Sequence, residues 1–170
     1  MSETTRKFLE GGQIVVGAVP ADFSASASPT FDWVSLKDFQ RCLCLFIAGA
    51  GSAGADSTIR MQQATAVAGT GAKDLTFTRL DVKQGASLAA IGQFTAVTQT
   101  AAANYTSATS GESELVWAVD IGRPDLDIAN DFDCIRMTVD DHAAYKAGTV
   151  VYVLYNPRKA VDPSLSAIAD

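Results

Sequence analysis

FQRCLCLFIAGAGSAG, residues 39–54, carries the choice between two architectures. In its first ten residues, Leu43, Leu45 and Ile47 oppose Cys42, Cys44 and Phe46, so an extended chain would be apolar on both faces. Such a strand belongs at the centre of a sheet or beneath a partner subunit. The remaining six residues, Gly49 to Gly54, spell GxGxxG. A dinucleotide fold uses those glycines to bring backbone N–H groups and a helix N-terminus onto a pyrophosphate, and it needs an acidic residue about 20 positions on. Downstream lies STIRMQQATAV (57–67), where Ile59, Met61, Thr65 and Val67 keep a period of two, and Asp74 opens another apparent strand. The expected structure is therefore strand, glycine-rich hairpin loop, strand.

Outward from this segment, short apolar runs bounded by Gly, Ser, Thr, Asp or Pro mark strands near 13–19, 57–67, 74–81, 92–98, 113–121, 132–140 and 148–155. With 39–48 these make an all-β chain, and the expected fold is a single antiparallel β-sandwich, jelly-roll-like, over 13–155. In 113–121, Leu115, Trp117 and Val119 fall opposite Glu114, Val116, Ala118 and Asp120, which places Trp117 in the core. In 132–140, Ile135, Met137 and Val139 oppose Cys134, Arg136 and Thr138, so Arg136 should reach water or an acid. Residues 82–91 read as a turn of helix and 99–112 as a long exposed loop. The ends, 1–12 and 156–170, show no period and read as flexible arms.

The 170 residues suit one domain, and 48% hydrophobic content excludes a disordered tail. A net charge of −6 is the wrong sign for holding a polyphosphate backbone, so nucleic acid is not an expected partner. No secretory apolar core opens the sequence. The apolar run from Cys42 to Ala50 is far shorter than the roughly 20 residues a spanning helix needs, so a soluble chain made in a cytosol, without a membrane partner, is expected. Cys42, Cys44 and Cys134 lack CxxC spacing and read as buried small hydrophobes, the alternative being one disulfide formed in an oxidising medium.

Several constellations invite a chemical reading, and each has a plainer one. Ala50-Gly-Ser52-Ala-Gly54 is near the nucleophile elbow of serine hydrolases, with His142 beside Asp140 and Asp141 as the available imidazole. That elbow needs a strand-to-helix turn, and a polar turn is the simpler account of 140–146. Asp120, Asp125, Asp127, Asp131, Asp133, Asp140 and Asp141 supply oxygen atoms for Ca²⁺, without the register or closing glutamate of an EF-hand. Solvated turns explain them as well. No His/Cys cluster has transition-metal spacing, and no cofactor is expected. Basic residues stand singly except Arg6-Lys7, which precede Phe8 and Leu9 in the N-terminal arm. An arm of that composition can dock on a neighbouring protein. These four residues, with Tyr105 in the 99–112 stretch, are the candidate interface.

The segments FDWVSLKDFQRCLCLFIAGAG (31–51), IRMQQATAVAGTGAKDLTF (59–77), LDIANDFDCIRMTVDD (126–141) and TVVYVLYNPRKA (149–160) together resemble small virion structural proteins of tailed bacteriophages. The resemblance is one of pattern over roughly 30–160. It implies a head decoration or cement protein on the capsid exterior, without enzymatic activity. It also implies a β-sandwich or jelly-roll body, the major capsid protein as partner, and self-association as a homotrimer. A tail or head-completion component and a calcium- or carbohydrate-binding sandwich are the alternatives, with a Ser52/His142 hydrolase behind them.

Overall fold

The computed structural model describes residues 8–23, 29–140 and 145–158, and within them the chain is an all-β sandwich of two antiparallel sheets. Arg6, Lys7, Asp141 and His142 lie outside the described residues. The strands are β1 (Gln13–Asp22), β2 (Val34–Ser35), β3 (Phe39–Ala48), β4 (Thr58–Ala64), β5 (Lys73–Asp74), β6 (Phe77–Gly85), β7 (Thr95–Ala102), β8 (Asn104–Thr106), β9 (Glu114–Gly122), β10 (Cys134–Val139) and β11 (Ala147–Pro157). The larger sheet runs β1-β11-β3-β9-β6-β7. In the smaller, β2-β10-β4-β5, β8 lies end to end with β5 along the same edge of β4.

Within this order, β1-β11-β3-β9 faces β2-β10-β4-β8, the eight-strand arrangement of a jelly roll. The β6–β7 hairpin extends the larger sheet beyond β9. Because β3 and β4 belong to opposite sheets, residues 49–57 form a crossover between layers in place of the expected hairpin loop. No helix begins directly after Gly54, where β4 is the next element; Gly54 itself holds φ +84, a left-handed turn that suits glycine.

The core lies between the layers and is filled by inward residues at alternate positions. On β3 these are Cys42, Cys44, Phe46 and Ala48, and on β9 Leu115, Trp117, Val119 and Ile121. An aromatic chain crosses it: Phe31 stacks on Phe23, Phe23 meets Phe46 edge-on, Phe46 meets Trp117, and Tyr105 closes on Trp117 at 4.9 Å. Edge-to-face geometry adds to the burial of such rings. Tyr152 of β11 spans the interior, accepting a hydrogen bond from Met137 N–H at 2.9 Å and donating to the Asp32 carbonyl at 3.1 Å. One hydroxyl thereby joins the sheets and satisfies a strand edge that β2 is too short to reach. Gly17 makes room for that ring, since a Cβ there would stand 2.3 Å from it.

Three further expectations change. Residues 99–112 do not form an open loop: they finish β7, form β8 and end in a turn whose Ser110, Gly111 and Ser113 are buried. The helical turn near 82–91 shrinks to the 3-10 turn Leu88–Ala90, since β6 continues to Gly85. The folded body reaches past both expected arm boundaries. Phe8–Glu10 form a 3-10 turn beside β1, and Arg158 N–H donates to the Asp38 carbonyl beyond β11.

Candidate interaction surface

The residues of β3 and β11 are apolar in both directions, and their registers place the outward set side by side. Leu43 pairs with Val153, Leu45 with Val151 and Ile47 with Thr149. β1 adds Ile14 opposite Val153 and Val16 opposite Val151, while β9 adds Val116 opposite Ile47 and Ala118 opposite Leu45. The outcome is a charge-free field across four strands on the outside of the larger sheet. Ile14 and Val16 are 57% and 48% exposed, and the central residues are half-buried by one another. A soluble protein rarely shows a contiguous apolar face unless something docks there.

Polar groups border this field. At one end the Arg41 guanidinium meets Asp120 at 2.8 Å, and the Tyr155 hydroxyl donates to the same carboxylate at 2.7 Å. Burial and then the Asp120 bond push the Tyr155 phenol above the ordinary tyrosine range. Arg79 pairs with Asp81 on β6, and these four charged side chains line a notch of about 280 Å³. At the same end Phe8, Gly11, Leu43, Val153, Tyr155 and Pro157 help to enclose an open hollow of about 510 Å³. Phe8 and Leu9 are 48% and 62% exposed, and Phe8 adjoins the apolar field through this hollow. Tyr105 does not join them. It lies on β8, half-buried against Trp117, on a strand of the opposite sheet.

The glycine-rich segment has a structural use that the sequence alone concealed. The fully buried Lys146 ammonium donates to the carbonyls of Gly49 at 2.7 Å, Ser110 at 2.7 Å, Ser113 at 2.9 Å and Gly111 at 3.3 Å. Gly51 and Gly111 allow the close approach this requires, because a Cβ at either would stand within 2.6 Å of a carbonyl oxygen. Desolvation lowers the Lys146 pKa below the ordinary lysine value, opposed by the fields of Asp56 and Glu112. Ser52 is exposed on this crossover, with no strand-to-helix elbow, so the hydrolase geometry is lacking on the serine side.

The acidic stretch disperses over separate partners. Asp120 holds Arg41, Asp125 accepts from Gly122 N–H, Asp127 pairs with Lys73 and Asn130, and Asp133 lies against the Cys134 thiol. Among the described residues no group of three or more His, Cys, Asp or Glu side chains could hold a metal ion. All three cysteines are buried, and the Cys42 and Cys44 sulfurs stand 3.8 Å apart. Cys134 points outward yet is covered by Trp33 and Ala64, and Arg136 donates to Gln62 at 2.7 Å and lies over Trp33 instead of meeting an acid. Among the described residues no helix is long and apolar enough to cross a membrane. No family profile matches the chain, and no curated protein matches it.

Proposed function

We propose that the chain is a structural protein of a tailed-phage virion, binding the outer surface of the capsid and stabilising it as a decoration or cement protein. The observation that carries this reading is the apolar surface running from Phe8 across Leu43, Val153, Leu45 and Val151. Surfaces of that kind work by adhesion, and fold alone does not select the partner. The pattern resemblance supplies the partner, the major capsid protein. Arg6, Lys7, Phe8 and Leu9 make the shell contact. Joined copies would engage several shell sites together, so that modest contacts multiply.

Mixing the purified chain with expanded capsids and measuring co-sedimentation tests the reading. Saturable binding at a fixed ratio to the capsid protein is expected, weakened by Phe8→Asp with Leu9→Asp. A chain that never associates with shells defeats the proposal, and only a few bound copies per particle favours a tail or head-completion role.

A further inference from the structure

We infer that the apolar face of the larger sheet is covered by the same face of a second copy, packed across a two-fold axis. The inference rests on the adhesive reading above and names what occupies the sheet portion of that surface. Phe8 and Leu9, at its margin, are left for the shell.

Four observations select this occupant. First, both edges of the larger sheet resist strand addition. β1 carries irregularities between Val16 and Ala18 and between Ala18 and Ala21, with Pro20 among them, and β7 is irregular opposite Phe77–Arg79. Bulges and proline block edge-to-edge pairing, which leaves the face as the route of association. Second, the face is electrically balanced on a chain of net charge −6: Arg41, Arg79 and Lys83 border it together with Asp81, Glu114 and Asp120. Two copies can therefore meet there without like-charge repulsion.

Third, the size is adequate. The four apolar strands and their β6 border, at about 4.8 Å spacing and over about seven residues at about 3.3 Å each, give a flat footprint on the order of 550 Å². Side-chain relief raises the accessible area toward the ~800 Å² per partner of a stable interface. Fourth, the exterior of the smaller sheet offers no exposed apolar counterpart: Arg60, Gln62, Arg136 and Thr138 face outward there, and its one apolar cluster among the described residues, Trp33 with Ala64 and Cys134, is buried. A head-to-tail ring joining the two exteriors would set an apolar patch against a polar one, whereas a two-fold contact sets the field on itself. The inferred pair thus differs from the trimer that the resemblance implies, and the oligomeric state distinguishes the two.

Sedimentation velocity of the full chain without capsids, from nanomolar to near-millimolar concentration, tests the inference. A monomer–dimer equilibrium is expected, with Leu45→Glu raising its dissociation constant at least ~30-fold and Thr138→Glu, on the other sheet, leaving it unchanged. Circular dichroism melting verifies folding; if Leu45→Glu fails to fold, Val151→Lys serves in its place. A monomer at every concentration, a trimer, or a dimer indifferent to both face variants overturns the inference. Capsid co-sedimentation is read separately: a chain that pairs but ignores shells defeats the decoration reading and leaves the pair standing.

Discussion

Outward positions on β4 and β10 are Thr58, Arg60, Gln62, Arg136 and Thr138, with Ala64 and Cys134 buried under Trp33 at one end, whereas those on β3 and β11 are Leu43, Leu45, Ile47, Thr149, Val151 and Val153. Both sets of strands bury their other side in the same core. The polar exterior shows that apolar outward residues are not needed to hold these layers together, because inward alternation already does so. The apolar exterior is therefore surplus to the packing of the two layers, and the proposed contact outside the chain gives it a use. It also explains why residues 39–48 read as central or covered: β3 is central in the larger sheet, flanked by β11 and β9.

The heaviest loss of stability follows from removing the scaffold beneath both exteriors. Lys146→Met strips the donor from a set of buried carbonyls, and a loss on the order of 3–5 kcal/mol is expected in urea unfolding. For a chain of this size that is a fall in Tm of roughly 10 °C. Lys37→Met, at an exposed position, should leave the midpoint in place.

Tyr152→Phe separates the layers more gently. It orphans the Met137 N–H, for a cost of about 1–3 kcal/mol. It should also change alkaline behaviour. Burial first, then the neighbouring Cys44, pushes the Tyr152 phenol well above its ordinary value of 10.0. The folded state thus holds that proton more tightly than the unfolded chain, so this contribution is present below pH 10 and is lost as pH rises beyond it. Stability measured from neutral to strongly alkaline pH should fall less steeply in Tyr152→Phe than in the parent.

Smaller effects sharpen the contrast between exteriors. Arg136→Ala removes the cation over the Trp33 ring and the Gln62 bond, and about 1 kcal/mol should disappear without change in self-association. Arg60→Ala breaks an exposed pair with Asp74, and the expected change in urea midpoint corresponds to less than about 1 kcal/mol. If either substitution altered the sedimentation profile, the assignment of contact to one exterior alone would be wrong.

Long alternating runs are legible without coordinates, because a period of two along 113–121 or 132–140 already states which side chains meet the core. β2, β5 and β8 are not, since two or three residues cannot display a period. β7 is legible only in part: its apolar run points to 92–98, whereas the strand spans Thr95–Ala102. Most of its Thr and Ala side chains are exposed on either face, so no apolar alternation marks where it ends. The Lys146 site leaves no side-chain signature, because backbone carbonyls hold the ammonium. Gly51, inside the GxGxxG spelling, is its trace, misleading because close backbone approach serves a buried cation as readily as a phosphate. Of the proposed surface, Phe8 and Leu9 are singled out in the sequence by composition, whereas the field on β1, β3, β9 and β11 requires knowing which strands are neighbours.

The position of β11 bears on biosynthesis. It is the eleventh strand in the chain, yet it lies between β1 and β3, so β3 lacks its partner on one side until translation has passed residue 157. Until then the outer face is unfinished, because Leu43, Leu45 and Ile47 lack Val153, Val151 and Thr149 beside them. The cost is slow maturation, since pairings between distant parts of the chain must wait for loop closure.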